Sequence, residues 1–202
     1  MGMTFSNIHL RKNEYCSKES VEKYFVQRMD LDGYKNVENF DDADYVLLLE
    51  TTPNSDWITI DSNYFNLDTI DNMQNELKNL SEKFSTDVIS VSCVASDFLM
   101  MNWINSKENY DAWLNIGIPY GGSYIRKTTL FLWKKKIKNY FAFLINCFKP
   151  HVFAEEAWYK IVELINMDME QCIVDSRYYI EYPDRDENKK IYALFFRGKY
   201  RG

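Results

Sequence analysis

The chain has 202 residues, 46% hydrophobic and 27% charged, a balance typical of one folded globular domain and not of a disordered or low-complexity segment. Its 30 acidic and 24 basic residues give a formal net charge of -6, which argues against a dedicated nucleic-acid-binding protein. The four cysteines include no C-x-x-C pair, no secretion signal is recognised, and no apolar run is long enough to span a membrane. We therefore expect a cytoplasmic protein that binds no membrane.

The N-terminal half predicts the element order βαββαβ. Alternating or continuous apolar runs predict strands at residues 7–12, 43–50, 56–65 and 87–96. Ser17 is a good N-cap for a helix that ends near Gly33, and apolar residues at three- and four-residue steps predict a second helix over residues 70–84. This is the order of the ferredoxin-like split βαβ, in which two helices cover one face of an antiparallel sheet.

The C-terminal half predicts one more strand, two helices and a hairpin. The strand is expected at residues 110–118, the helices at 128–148 and 153–165, and the hairpin strands at 172–182 and 190–197. Residues 98–104 either continue the preceding strand or begin a neighbouring one. The first helix should bury a stripe that consists of Trp133, Ile137, Tyr140, Phe141, Leu144 and Phe148, and the second should turn Phe153 inward. The prediction is a single α+β domain over residues 1–202, divisible into 1–108 and 109–202.

The glycine loop between the strand at 110–118 and the following helix reads GGSYIRKT and nearly matches a phosphate-binding P-loop. Arg126 stands where the second glycine of that motif belongs, no acidic residue for Mg²⁺ is evident, and the element order is not that of a parallel nucleotide-binding sheet. A helix N-terminus there still attracts anions. The residues of this candidate anion site are Gly121, Gly122, Ser123, Lys127 and Thr128. We predict no cofactor.

Catalytic and metal motifs are sparse. The two histidines, His9 and His151, have no nucleophile motif beside them, and the sequence DRDEN (184–188) lacks the glycine and the glutamate of a calcium loop. The lysines of residues 134–138 fit the solvated side of an amphipathic helix. We therefore predict no catalytic residue and no metal ligand.

An acidic and aromatic stretch at residues 39–65 favours a protein partner, because acidic groups beside large aromatics suit a basic partner surface. The alternative is that the aromatics are core and the acids border a sheet edge. The predicted partner-binding residues are Asp41, Asp42, Asp44, Glu50, Asp56, Trp57, Asp61 and Tyr64.

The leading functional hypothesis is a non-enzymatic protein-binding module of the kind represented by toxin-neutralising immunity proteins. Such proteins are small, acidic and devoid of catalytic motifs. The alternative is an enzyme or ligand-binding protein that uses a small-molecule, nucleotide or anion pocket near residues 117–128. A homo-oligomer is compatible with both hypotheses.

Overall fold

The computed structural model describes residues 4–63, 70–117, 132–148, 153–173 and 191–199. In this part of the chain eight strands form one sheet, accompanied by four α-helices. The strands are β1 (Phe5–Arg11), β2 (Tyr34–Val37), β3 (Tyr45–Glu50), β4 (Trp57–Ser62), β5 (Val88–Val94), β6 (Phe98–Asn105), β7 (Tyr110–Gly117) and β8 (Ile191–Gly198). The helices are α1 (Lys18–Leu31), α2 (Ile70–Phe84), α3 (Tyr140–Phe148) and α4 (Glu155–Leu164).

The strand order in the sheet is β2-β8-β3-β4-β1-β5-β6-β7, and every pair of neighbours is antiparallel. The predicted α+β class with a mainly antiparallel sheet is therefore confirmed. Residues 98–104 form a strand of their own, β6, which pairs with β5. The strand β8 lies between β2 and β3, and most of its predicted hairpin partner at 172–182 lies outside the described residues.

One face of the sheet packs against α1 and α2. The central strands β1, β3 and β5 are buried along most of their length, because both faces of the sheet are covered. From α1, Val21, Phe25 and Met29 reach this core, and Ser17 caps the helix through a reciprocal capping box with Ser20. The sheet contributes the side chains of Ile8, Leu10, Leu47, Leu49, Ile58 and Ile60, and α2 contributes Met73, Leu77, Leu80 and Phe84.

The other face of the sheet packs against α3 and α4 around four fully buried tryptophans. Trp103 meets Trp57 and Trp133 edge to face, with ring centroids 5.8 and 5.3 Å apart, respectively. Trp133 in turn stacks on Phe143 of α3 at 5.3 Å. Aromatic pairs in these geometries add to the free energy of simple burial, so this cluster fixes α3 on the sheet.

The predicted helix over 128–148 is wrong in extent. Among the described residues, α3 begins at Tyr140, and residues 134–139 form turns and bends. Lys136 folds back to bond the carboxylates of Asp87 at 2.7 Å and Glu108 at 2.8 Å. Asn139 then caps α3, since its side-chain oxygen accepts from the backbone N–H of Ala142.

The later start of α3 changes which of its side chains are buried. Trp133 and Ile137 are buried as predicted, but Phe141 is 75% exposed and Phe148 is 61% exposed. Phe143 and Cys147 occupy the inward positions instead. Phe153, predicted to point inward, is 50% exposed. The prediction of the buried stripe is therefore wrong at Phe141 and Phe148, and the separate prediction for Phe153 in the second helix is also wrong.

Candidate functional site

The predicted acidic and aromatic surface is divided by the fold. Trp57 and Glu50 are buried, at 0% and 1% exposure, so neither reaches the surface of the folded chain. Because β3 and β4 are antiparallel, the acids that precede β3 lie at one end of the sheet, and Asp56, which precedes β4, lies at the other. Tyr64 lies outside the described residues. The exposed acids therefore do not form one continuous surface.

Several of these acids already have partners within the chain. Asp42 lies 3.6 Å from Arg197, and Asp44 accepts a hydrogen bond from the backbone N–H of Gly198 at 2.9 Å. Asp56 lies 3.7 Å from Arg11. The two exposed ion pairs, Asp42–Arg197 and Asp56–Arg11, are worth little free energy and are easily exchanged. The partner-binding role of these acids stays a prediction.

A buried polar centre lies on the sheet face beneath α4. The Nδ1 atom of His9 lies 2.9 Å from the hydroxyl of Thr59, and that hydroxyl donates to the backbone carbonyl of Gln171 at 3.0 Å. A threonine hydroxyl has a single proton, and the carbonyl can only accept. The Nδ1 of His9 must therefore carry the hydrogen and donate to Thr59, which leaves Nε2 as an acceptor.

The Nε2 atom of His9 is buried and has no hydrogen-bond partner, and the ring packs against Trp158 at 5.3 Å. Burial lowers the pKa of His9 to about 3, because a charged imidazolium would lose its hydration without gaining an acceptor. His9 is therefore neutral at physiological pH and is enclosed by protein. Its position does not give a base in contact with solvent.

The side chain of Gln171 completes the hydrogen bonding of the polar centre by donating to two strands. Its side-chain amide donates to the carbonyls of Glu50 and Trp57, both at 3.0 Å, and the indole of Trp158 donates to the carbonyl of Cys172 at 2.7 Å. These bonds hold the segment that follows α4 across β3 and β4. The centre therefore has an evident structural role, since it satisfies buried backbone groups.

The cysteines of the chain are thiols rather than thiolates. Burial raises the pKa of Cys16, Cys147 and Cys172 to about 12. Burial, together with the Glu155 carboxylate, raises the pKa of Cys93 to about 11. A thiol in this state is a weak nucleophile and a poor metal ligand. Within the described ranges, no group of three His, Cys, Asp or Glu residues could hold a metal ion.

The main surface feature is the outward side of α3. Phe141, Ile145 and Phe148 are 75%, 52% and 61% exposed, and we call these three side chains the outer stripe. Their four- and three-residue spacing puts them on one side of the helix, opposite the inward Phe143 and Cys147. A helix that is apolar all round is normally buried on every side. The sequence of α3, YFAFLINCF, already carries this signal, although the prediction from periodicity overlooked it.

A groove of about 580 Å³ runs between α3 and α4 beside the outer stripe, and we call it the α3–α4 groove. Its lining is mostly apolar, with charged side chains from the outer face of α4. The lining residues are Ala142, Ile145, Asn146, Glu156, Tyr159, Lys160, Glu163, Leu164 and Met169. Exposed Met169 extends the apolar surface beyond the stripe, and Phe153, just before α4, is also exposed. This combination has the composition of a docking surface for another macromolecule.

The lysine cluster at 134–138 has two kinds of member. Lys134, Lys135 and Lys138 are exposed, as predicted for a solvated group. Lys136 is half-buried, with 9% of its side chain exposed between Asp87 and Glu108, so its prediction as a solvated residue is wrong. The exposed lysines directly precede α3 and place positive charge at that end of the outer stripe.

Other predicted residues lie outside the described part of the chain. These are the anion-site residues Gly121, Gly122, Ser123, Lys127 and Thr128, together with His151 and the sequence DRDEN at 184–188. Of the helices that the structure describes, none has both the length and the apolar character needed to cross a membrane.

Comparison of the chain with protein-family models, curated proteins and solved structures gave no match.

Proposed function

We propose that the chain is a protein-binding module whose docking surface consists of the outer stripe and the α3–α4 groove. The observation that carries this proposal is the exposure of Phe141, Ile145 and Phe148 on a helix whose opposite side is already buried. A contiguous apolar patch on the surface lowers the solubility of a protein. On folded proteins such a patch therefore marks an interaction site. Aromatic side chains are also the residues that contribute most to protein interfaces.

The toxin-neutralising version of the proposal takes a basic protein as the partner. Its support is the net charge of -6, since an acidic protein attracts a basic one at long range. Exposed Asp41 and Asp42 are the remaining surface acids of the predicted set near Phe40, which is itself 40% exposed. We also place the action of the module in the cytoplasm, a proposal that the four free cysteines support.

We further infer a ferredoxin-like core formed by β1, β3, β4 and β5 with α1 and α2. Two observations support it: these strands are neighbours in the order β3-β4-β1-β5, and both helices pack on the same face of the sheet. In this arrangement α3 and α4 are additions to the opposite face. The docking surface would then belong to the added layer.

Site-specific photo-crosslinking in the native cells tests the proposed function. A benzophenone amino acid replaces Ile145 in one variant and Leu31 in a matched control, because Leu31 is 86% exposed on α1, across the sheet from the docking surface. We expect irradiation to give a protein adduct from position 145 and none from position 31, with the adduct identified by mass spectrometry. If position 145 gives no adduct, or if both positions give the same adducts, the docking surface is not where we propose it.

A further inference from the structure

The outer stripe has the spacing of a helix-packing seam. Phe141, Ile145 and Phe148 follow one another at four and then three residues, the d-a-d spacing by which one helix packs against another. Within the chain, α3 already uses its other side against the tryptophan cluster. The three side chains of the outer stripe therefore face outward together. Their spacing allows another short apolar helix to pack against them.

This seam is nearly symmetric about its centre. Ile145 lies between two phenylalanines, so an identical helix that runs antiparallel can place its Ile145 against this one. Phe141 of each copy then packs beside Phe148 of the other. Twofold interfaces use the same patch on both subunits and require such self-complementarity.

The charges around the stripe have the same symmetry. Lys138 is exposed just before the first residue of α3. Glu156 is exposed in the first turn of α4, which lies beside the C-terminal half of α3, because the amide of Asn146 donates to the carbonyl of Ala157 at 2.9 Å. Positive and negative charge thus lie near opposite ends of the stripe. In an antiparallel pair, Lys138 of each copy faces Glu156 of the other.

The exposed apolar area reaches the lower limit of a specific twofold interface. The outer stripe, Phe153 and Met169 are between 45% and 75% exposed. With large side chains of 150–250 Å² each, they present roughly 400–700 Å² per copy. Two copies would bury roughly 800–1,400 Å² of apolar surface, a range that includes the approximate 1,000 Å² expected of a specific interface.

We infer that the occupant of this surface is a second copy of the chain, and that two copies form an antiparallel dimer through α3 with Ile145 on the twofold axis. This inference rests on the proposed function, because it names the partner of the same surface. The seam spacing, the mixed charges at its two ends and the exposed area all agree with an identical partner.

Sedimentation of the purified full chain tests the dimer. We expect the wild type to sediment as a dimer at micromolar concentration. Ile145→Glu should raise the dimer dissociation constant by about 100-fold or more, since it buries two like charges against each other on the axis. The matched control Leu31→Glu adds the same charge at an exposed site on α1 and should leave the dimer intact. Because Ile145 is 52% exposed, the variant should fold, and its circular dichroism and melting transition should resemble those of the wild type.

Charge exchange tests the antiparallel arrangement. Lys138→Glu and Glu156→Lys should each weaken the homodimer by about tenfold, because each puts like charges opposite one another twice. Mixing the two variants restores opposite charges at both contacts, so a heterodimer should form with at least the wild-type affinity. A dimer that tolerates both single changes, or a mixture that does not recover, overturns the antiparallel arrangement.

Different results would contradict the docking surface and the second copy as its occupant. A wild type that is monomeric throughout, or a dimer that Ile145→Glu does not weaken, overturns the second copy as the occupant. The photo-crosslink at position 145 then decides the proposed function. An adduct with another protein sustains the docking surface. An adduct of two identical chains supports the dimer and overturns a basic protein as the partner at this surface.

Discussion

Protonation of His9 should make the folded chain unstable in mild acid. The ring is fully buried, its Nδ1–H is committed to Thr59, and Nε2 has no partner that could accept a second proton. The pKa of His9 is therefore lowered to about 3 by burial, against an ordinary value of 6.5 in the unfolded chain. Because the folded pKa is depressed, the stability due to neutral His9 is fully present above about pH 6.5. It is lost progressively as the pH falls towards about 3.

The magnitude follows from the difference in proton binding. Between the two pKa values the unfolded chain binds one more proton than the folded chain, so the free energy of unfolding falls by about 1.4 kcal/mol per pH unit. From about pH 7.5 to about pH 5 the loss is about 2 kcal/mol. This figure hardly changes for any folded pKa below about 4, since the folded ring is then still neutral at pH 5. A loss of this size is a large fraction of the stability of an ordinary domain.

Urea denaturation at the two pH values measures the effect. The wild type should lose about 2 kcal/mol, and His9→Phe should show a flatter pH dependence because it keeps an aromatic ring against Trp158 without a titrating group. His9→Asn keeps a donor for Thr59 and should also lose the pH dependence, although its smaller side chain lowers stability at both pH values. If both variants decline as steeply as the wild type, His9 is not the source and the burial argument is refuted.

Three further predictions concern the turn between β5 and β6 and the segment before α3, both of which contact their surroundings through buried groups. Ala95→Gly should raise the free energy of unfolding by about 1 kcal/mol, because Ala95 has a φ of 52°, which glycine adopts without strain. Ser96→Ala at the adjacent residue should lower it by about 2 kcal/mol, since the Ser96 hydroxyl donates to the buried carboxylate of Glu155 at 2.7 Å. Lys136→Met should lower it by about 2 kcal/mol, because it removes the ammonium donor to buried Asp87, which keeps Arg11 at 3.6 Å and the amide of Asn105 at 2.8 Å.

Matched controls accompany these variants. Lys135→Met removes the same charge from an exposed neighbouring residue and should change stability by less than about 0.5 kcal/mol. Chemical denaturation measures all four variants. Equal effects at positions 135 and 136 would contradict the ion-pair argument, and a destabilising Ala95→Gly would contradict the strain argument.

The elements of the N-terminal half could be read from the sequence because each signal there is local. The apolar runs of β3 and β5 are buried strands, and the capping box at Ser17 fixes the start of α1. The strand β2 was missed, because its sequence YKNV is short and mostly polar and it forms at the edge of the sheet only by pairing with β8. The local sequence of β2 cannot indicate that it will pair with β8, which lies about 160 residues further along the chain.

The candidate surface was missed for a different reason. Periodicity assigned Phe141 and Phe148 to the core on the assumption of one helix from residue 128, whereas Asn139 starts α3 at Tyr140. The ion pairs of Lys136, in the segment before α3, depend on Asp87 and Glu108, which are distant in sequence. The acidic stretch failed as a continuous surface because antiparallel pairing sends its members to opposite ends of the sheet.

The sequence alone determined the class of the protein: an α+β chain of ordinary globular composition, with strands where the apolar runs are and a net negative charge. Only the tertiary structure decided which side of each element is buried. The central strands β1, β3 and β5 are buried on both faces, so the choice of a side does not arise there. For α2 the two decisions coincide, because one side of the helix is apolar and the other polar. For α3 they do not, since both of its sides are apolar. The side that carries Phe143 packs on the tryptophan cluster, and the side that carries Ile145 remains at the surface for a partner.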